Sequence, residues 1–227
     1  MTEDPRALLR ADDLRLAFGS TPALDGASVA VERGEIVALM GPSGSGKSTL
    51  LHCLAGVLRP DHGEVWWEGR RLDTLPERRR SAIRLERFGF VFQFGDLVPE
   101  LTLRENILLP LRLLRAPRAD FQRADDLLDR LELVEVASRR AAEVSGGQAQ
   151  RAAVARALVH RPGVVFADEP TGALDSVTGE IVLTTLVQLA RDHGSSIIIV
   201  THDHRVAAHA DREIVIRDGR TTAEVIA

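Results

Sequence analysis

Gly41-Pro42-Ser43-Gly44-Ser45-Gly46-Lys47-Ser48 decides the fold of this 227-residue chain. Lys47 is its one lysine; of 29 Lys and Arg residues the other 28 are arginine. A sequence that uses arginine everywhere else still places lysine here. The pattern G-x-x-x-x-G-K-[ST] is that of a phosphate-binding loop. Its glycines let successive backbone N–H groups turn inward around a β-phosphate. A helix that starts at the loop's end adds its positive dipole end. Lysine suits crowded β/γ-phosphates because an ammonium is a compact point charge, whereas guanidinium is a wide planar fork. Ser48 offers a hydroxyl to Mg²⁺. Such a pattern arises by chance in roughly one chain in a hundred of this length, so its context must decide. That context is a continuous apolar run, Ile36-Val-Ala-Leu-Met40, before the loop and a helical run, Thr49 to Ala55, after it. Strand, loop and helix in that order favour a nucleotide site over a Gly/Ser-rich turn.

Outward from the loop, the chain reads as an α/β protein. Asp12 to Phe18 alternates in polarity, and Val29-Ala-Val31 leads through Glu32-Arg-Gly34 into the 36–40 strand. Residues 64–75 read as a hairpin around Glu68-Gly69, and Phe88 to Phe92 as a short apolar strand. Arg78-Arg-Arg80 reads as a solvated helix face balanced by Glu77 and Glu86. From Pro99 to about Ala142 the pattern is helical and Leu-rich, with an amphipathic helix over 124–133. Val164 to Ala167 and Ser196 to Val200 are buried parallel-strand runs, each preceded by a helix-like stretch. A hairpin around Asp218-Gly219 closes the chain.

Composition narrows the function. Hydrophobic residues make up 44% and charged residues 27%, the balance of a globular protein. A net charge of −4 argues against nucleic acid as a partner. Cys53 stands alone, so no internal disulfide can form, and its place in an apolar helix marks it as a core residue. No signal peptide is read at the N-terminus, and no run reaches the ~18 apolar residues of a spanning helix. A membrane role therefore calls for a second, membrane-embedded chain.

Three further groups carry chemistry. Val164-Val-Phe-Ala-Asp168-Glu169 is a buried strand that ends in two acids, at the edge where parallel α/β sheets bind ligands. Asp168 suits Mg²⁺ held through water. Glu169, one residue on, suits orienting and deprotonating a water. Ser145-Gly146-Gly147-Gln148 opens a helix; Ser and Gln at that spacing form a capping box. The box leaves two glycines in the first turn unexplained, each costing about 1 kcal/mol relative to Ala. Bare N–H groups at a helix start suit an anion. His202 follows the 196–200 strand at the same sheet edge as Asp168. A lone histidine there is more often a hydrogen-bonded structural residue; its place after a core strand supports the catalytic alternative.

Taken in order, these groups resemble the motif set of ABC-type ATPases over nearly the whole chain. Val144 to Arg151 is similar to the family's signature motif and Gly41 to Thr49 to Walker A. Gln93 corresponds to the Q-loop, Val164 to Glu169 to Walker B, Ala173-Leu-Asp175 to the D-loop and Thr201-His202-Asp203 to the switch histidine. The resemblance implies a P-loop NTPase (RecA-like) core with an N-terminal antiparallel β-subdomain and an inserted α-helical subdomain. The expected boundaries are 1–93 and 151–227 for the core with its β-subdomain, and 94–150 for the helical subdomain ending at the signature motif. It implies ATP and Mg²⁺ as ligands and a head-to-tail homodimer, with ATP between one P-loop and the partner's Ser145-Gly146-Gly147. Gln148 and Asp175 then belong to the nucleotide site. Ser48, Gln93 and Asp168 serve the metal, while Lys47, Glu169 and His202 serve the chemistry. The family commonly stacks adenine on an aromatic residue upstream of Walker A. This chain has no Tyr, and Phe18 takes that place. Val144 and Ala149 depart from the family pattern without removing a catalytic group.

The stretch Gly89 to Pro110 and the stretch Asp168 to Gly179 resemble the macrolide-exporter and lipoprotein-release branch, that is MacB-, LolD- and FtsE-like ATPases. Ala173 stands where that branch usually has Asn. The resemblance implies an FtsX/MacB-like membrane permease as partner, docking around Phe94, Leu97, Pro99 and Leu101. It places the protein in the cytoplasm, peripheral on the inner face of the bacterial membrane. Two alternatives stay open: an FtsE-like regulator of cell-wall hydrolases, and a soluble ABC ATPase acting on DNA or ribosomes.

Overall fold

The computed structural model describes residues 7–93 and 96–226, with side chains described as far as Thr222. In chain order the elements are β1 (Ala7–Phe18), β2 (Thr21–Glu32), β3 (Ile36–Met40), α1 (Lys47–Leu54), β4 (His62–Trp67), β5 (Arg70–Arg71) and α2 (Glu77–Arg87). Then come β6 (Phe88–Phe92), α3 (Leu103–Leu113), α4 (Gln122–Arg130), α5 (Gly146–Leu158), β7 (Val164–Asp168) and α6 (Ser176–His193). β8 (Ser196–Val200), α7 (His204–Ala207), β9 (Arg212–Arg217) and β10 (Arg220–Ile226) complete the chain. They form two compact units: residues up to Arg84 together with those from Ser196 on, and residues Leu85–Ser195.

In the first unit, β2, β1, β4 and β5 form an antiparallel sheet in that order. The β4–β5 turn is Glu68-Gly69, and both residues have positive φ, as a tight hairpin of right-handed strand twist requires. The same unit holds β3 between β8 and β9, parallel to both, with β10 antiparallel to β9. β3 and β8 are buried at every position, which is why both read as unbroken apolar runs rather than alternating ones. α1 packs against β1, β2 and β8, with Leu50, Leu51, Cys53 and Leu54 all buried. Each such leucine contributes about 1.5–3 kcal/mol on burial. Burial, and then the nearby Asp61 carboxylate, push the Cys53 thiol up to about 12. Cys53 is thus a core residue, as its sequence context implies. On α2, Glu77 bonds Arg80, Ser81 and Arg84, so one acid serves two of the helix's five arginines.

In the second unit, β6 and β7 pair in parallel from Phe88↔Val164 to Phe92↔Asp168. Phe166 of β7 meets Phe88 edge-on at 5.1 Å and stacks on Phe90 at 5.5 Å. α5 lies close against β6: a Cβ at Gly89 would come within 2.4 Å of the Ala157 carbonyl. Glycine at 89 is therefore a packing requirement. The Leu-rich stretch resolves into α3, capped by a Thr102–Glu105 box worth about 1 kcal/mol, and the shorter α4. α6 begins on Asp175 and ends on Gly194 in the left-handed conformation that stops helices.

Candidate active site

The first unit brings the phosphate loop and His202 to one edge. β3 and β8 run in parallel with Leu39 opposite Val200. Gly41 therefore leaves the sheet two residues after Leu39, and His202 two residues after Val200. The Thr201 amide donates to the Leu39 carbonyl at 3.2 Å, which fixes the exit of the histidine strand against the exit of the loop strand. The Asp203 amide donates to Thr201 Oγ1, and Asp203 in turn caps α7. His202 is exposed at this edge.

The loop itself is held from three sides. Lys47 is buried, and its Nζ donates to the carbonyls of Gly41 and Pro42, each at 2.8 Å. The ammonium thus lies back along its own loop. A Cβ at Gly41 would lie 2.2 Å from the Ile216 carbonyl, and one at Gly46 would lie 2.4 Å from the Ala23 carbonyl. Both also have positive φ. These two glycines are fixed by crowding as much as by backbone angle. Gly219 closes the third side: its N–H donates to the Ser45 carbonyl, and its carbonyl accepts from Asp25 N–H, both at 2.9 Å. Arg220 pairs with Asp25 at 2.6 Å beside this clamp. Ser45 Oγ is buried with no hydrogen-bond partner among the described residues, an unmet donor inside the loop. Ser48 is exposed at the start of α1, and Thr49 is half-buried behind it. No acid lies in the first turn of α1, so its dipole end is left for an outside anion.

The second unit does the same for the acids. Phe92 pairs with Asp168, so Gln93 and Glu169 each leave the β6–β7 pair one residue later, at the same carboxyl edge. A Cβ at Gly172 would come within 2.8 Å of Gln93 Nε2; its absence makes room for the Gln93 amide. Glu169 has φ 48°, a left-handed conformation that costs a non-glycine residue about 1–2 kcal/mol. The Glu169 carbonyl accepts from Gly172 N–H at 3.0 Å, which closes the turn. Asp168 is half-buried at the strand end.

Ser145 forms the capping box read from the sequence. Its Oγ accepts from Gln148 N–H at 3.3 Å, and Gln148 Oε1 accepts from Ser145 N–H at 3.0 Å. A Cβ at Gly146 would meet nothing within 4 Å, whereas one at Gly147 would lie 2.7 Å from Thr178 Cγ2. The two glycines therefore differ in cause. Gly147 lets α5 approach α6, and Gly146 leaves the helix start open. α5, like α1, has no acid in its first turn. Asp175 caps α6 through the amides of Val177 and Thr178. The Thr178 amide leads the contacts that hold its carboxyl below the usual range.

Phe18 ends β1 and is 56% exposed, an uncommon degree of exposure for an aromatic ring. Leu97 and Leu101 are half-buried and Pro99 is exposed; Phe94 lies outside the described residues. Asn106 of α3 is fully buried and fixes this loop. Its Oδ1 accepts from Val98 N–H, and its Nδ2 donates to the carbonyls of Val98, Leu101 and Thr102. Sequence reasoning misses three residues. Asn106 and Gln150 are polar residues on otherwise apolar helix faces, and that contrast is a usable signal. Gly219 reads only as a turn glycine.

The family model for the ABC transporter matches residues 24–172. The lipoprotein-releasing system ATP-binding protein LolD of Maricaulis maris is 45% identical over 208 residues, 91% of each chain. LolD of Porphyromonas gingivalis is 41% identical over 218 residues, 96% of this chain and all of that one. A solved structure, a dimeric post-hydrolysis state of the ATP-binding cassette MJ0796 bound to ADP and Pi, superposes with a TM-score of 0.86. It is 36% identical over 96% of this chain and 98% of that one. On these matches the chain belongs to the ABC transporter family, as one of its ATP-hydrolysing subunits.

Proposed function

We propose that this chain hydrolyses ATP as half of a head-to-tail dimer and thereby drives a separate few-helix membrane permease of FtsX/MacB type. The reaction is ATP + H₂O → ADP + phosphate. The observation that carries the reading is the register of the strands. It brings the phosphate loop and His202 together at a carboxyl edge within the first unit, and Gln93 and Glu169 together at a carboxyl edge within the second.

Within that reading, Lys47 and the amides from Gly41 to Thr49 bind the β- and γ-phosphates. Ser45 Oγ, buried without a partner among the described residues, supplies one more donor. Ser48 and Asp168, with Gln93, hold Mg²⁺. One hydroxyl, one carboxylate and one amide fit an ion that keeps waters and leans on substrate phosphates rather than on a protein cage. When bound, the ion neutralises charge on the phosphates. Glu169 takes the proton of the attacking water, and His202 steadies that water and the γ-phosphate. Phe18 stacks on adenine. Ser145, Gly146, Gly147 and Gln148 of the partner close over the γ-phosphate with a helix start that carries no acid. Asp175, by starting α6 against α5, shapes the edge at which the two subunits meet.

The relatives named for lipoprotein release favour that task for the whole transporter. The loop that carries Leu97, Pro99 and Leu101 is pinned by Asn106, which suits a rigid seat for a permease helix. Docked to its permease there, the chain works at the inner face of the membrane. Ser145→Arg tests the composite site. Its charge and bulk sit at the opposing γ-phosphate, so binding of ATP by the P-loop stays near wild type while turnover falls by about 10²-fold or more. Turnover at the wild-type rate would contradict the head-to-tail arrangement.

A further inference from the structure

Gln150 is 2% exposed, a neutral amide sealed inside the second unit. It lies on α5, two residues after Gln148 of the capping box. Its Nε2 makes two hydrogen bonds that use both of its protons. One goes to the Phe92 carbonyl at 2.9 Å, the other to the Pro170 carbonyl at 2.7 Å. Phe92 is the residue before Gln93, and Pro170 is the residue after Glu169. A single NH₂ group thus ties the exit of β6, the exit of β7 and the signature helix together. The bond to Pro170 reaches beyond the last register pair, Phe92↔Asp168, where the parallel ladder no longer fixes the chain.

We propose that Gln150 is a positioning residue for hydrolysis: it sets Gln93 and Glu169 relative to each other and to the helix begun by Ser145. The proposal rests on the roles given above to Gln93 and Glu169. A buried amide that only filled space could be replaced by a hydrocarbon of equal length. A buried amide that holds two carbonyls cannot, because both lose its protons. The Glu169 turn makes the tie matter more. Glu169 sits in a strained left-handed conformation, and Pro170, the next residue, has no N–H of its own to anchor the turn. The Gln150 bond to the Pro170 carbonyl anchors the turn through a side chain instead. The phosphate loop lies in the other unit and takes no part in these two bonds, so loss of the tie should act on turnover and not on nucleotide binding.

The test uses the full chain and two variants. Gln150→Met keeps length and volume and removes both donors. Gln150→Glu keeps the shape but turns oxygens toward both carbonyls. Binding of a ribose-labelled fluorescent ATP is measured beside the steady-state rate. Expected for both variants is a dissociation constant within about 2-fold of wild type and a kcat lowered by about 10-fold or more. A folded Gln150→Met that turns over within about 2-fold of wild type would overturn the proposal. So would binding and kcat falling together, or both variants failing to fold, since each would make Gln150 structural only. Glu169→Gln is run alongside. If it turns over at the wild-type rate, the Glu169 reading fails; if it is inactive while Gln150→Met is normal, only the Gln150 role fails.

Discussion

At the scale of single residues, Lys47 is the clearest case of chemistry overriding composition. The chain otherwise uses arginine for every permanent cation, yet here a slim ammonium donates to two carbonyls of its own loop. A guanidinium cannot take that place: it is wider, and its five donors lie in a rigid plane. Lys47→Arg should therefore behave like Lys47→Ala. We expect ATP turnover to fall by at least about 10²-fold in both, with thermal unfolding near that of wild type. Arginine at 47 with near-normal turnover would mean that charge alone matters. Glu169 makes a second point at this scale. Its conformation is strained, so its place is held by neighbours rather than by its own preference.

At the scale of elements, much is legible in the amino-acid sequence alone. β3, β7 and β8 are plain because a strand buried on both faces needs an apolar residue at nearly every position. The two hairpins at Glu68-Gly69 and Asp218-Gly219 are plain because few residues tolerate positive φ twice in succession. The capping box at Ser145 is plain because its partners are three residues apart. β1 and β2 run longer than their alternation shows, since bulges break the pattern near Ala11 and Leu14. The tie made by Gly219 is not legible at all. Gly219 meets Asp25 and Ser45 across most of the chain, and no local pattern encodes such a contact. Gly219 should be intolerant for that reason. A Cβ there would lie 2.8 Å from the Asp25 amide and 2.9 Å from Leu24 Cα, at a φ of +75°. Gly219→Val should push the hairpin off the phosphate loop and weaken ATP binding by about 10-fold or more, read by fluorescent-nucleotide titration. Unchanged binding would show that the loop keeps its shape without the clamp.

At the scale of the whole molecule, no helix among the described residues is long and apolar enough to cross a membrane. In the proposed function, work on a membrane cargo passes through another protein, and the chain's own task is to close and open with its nucleotide. Each chain carries a P-loop and an exposed helix start at Ser145. In the proposed head-to-tail arrangement the P-loop of one copy faces the helix start of the other. Glu169→Gln tests this most directly. The amide keeps the shape of the carboxylate and can hold a water, but it cannot accept a proton. Loss of a general base typically slows hydrolysis by about 10²–10⁴-fold. Lys47, Ser48 and the loop amides remain, so ATP stays bound and the closed pair persists. Light scattering on a size-exclusion column, with and without ATP, should find the Glu169→Gln chain dimeric only with ATP, and wild type mostly monomeric in both. A Glu169→Gln chain that hydrolyses slowly yet stays monomeric at saturating ATP would contradict the claim that two copies share the nucleotide.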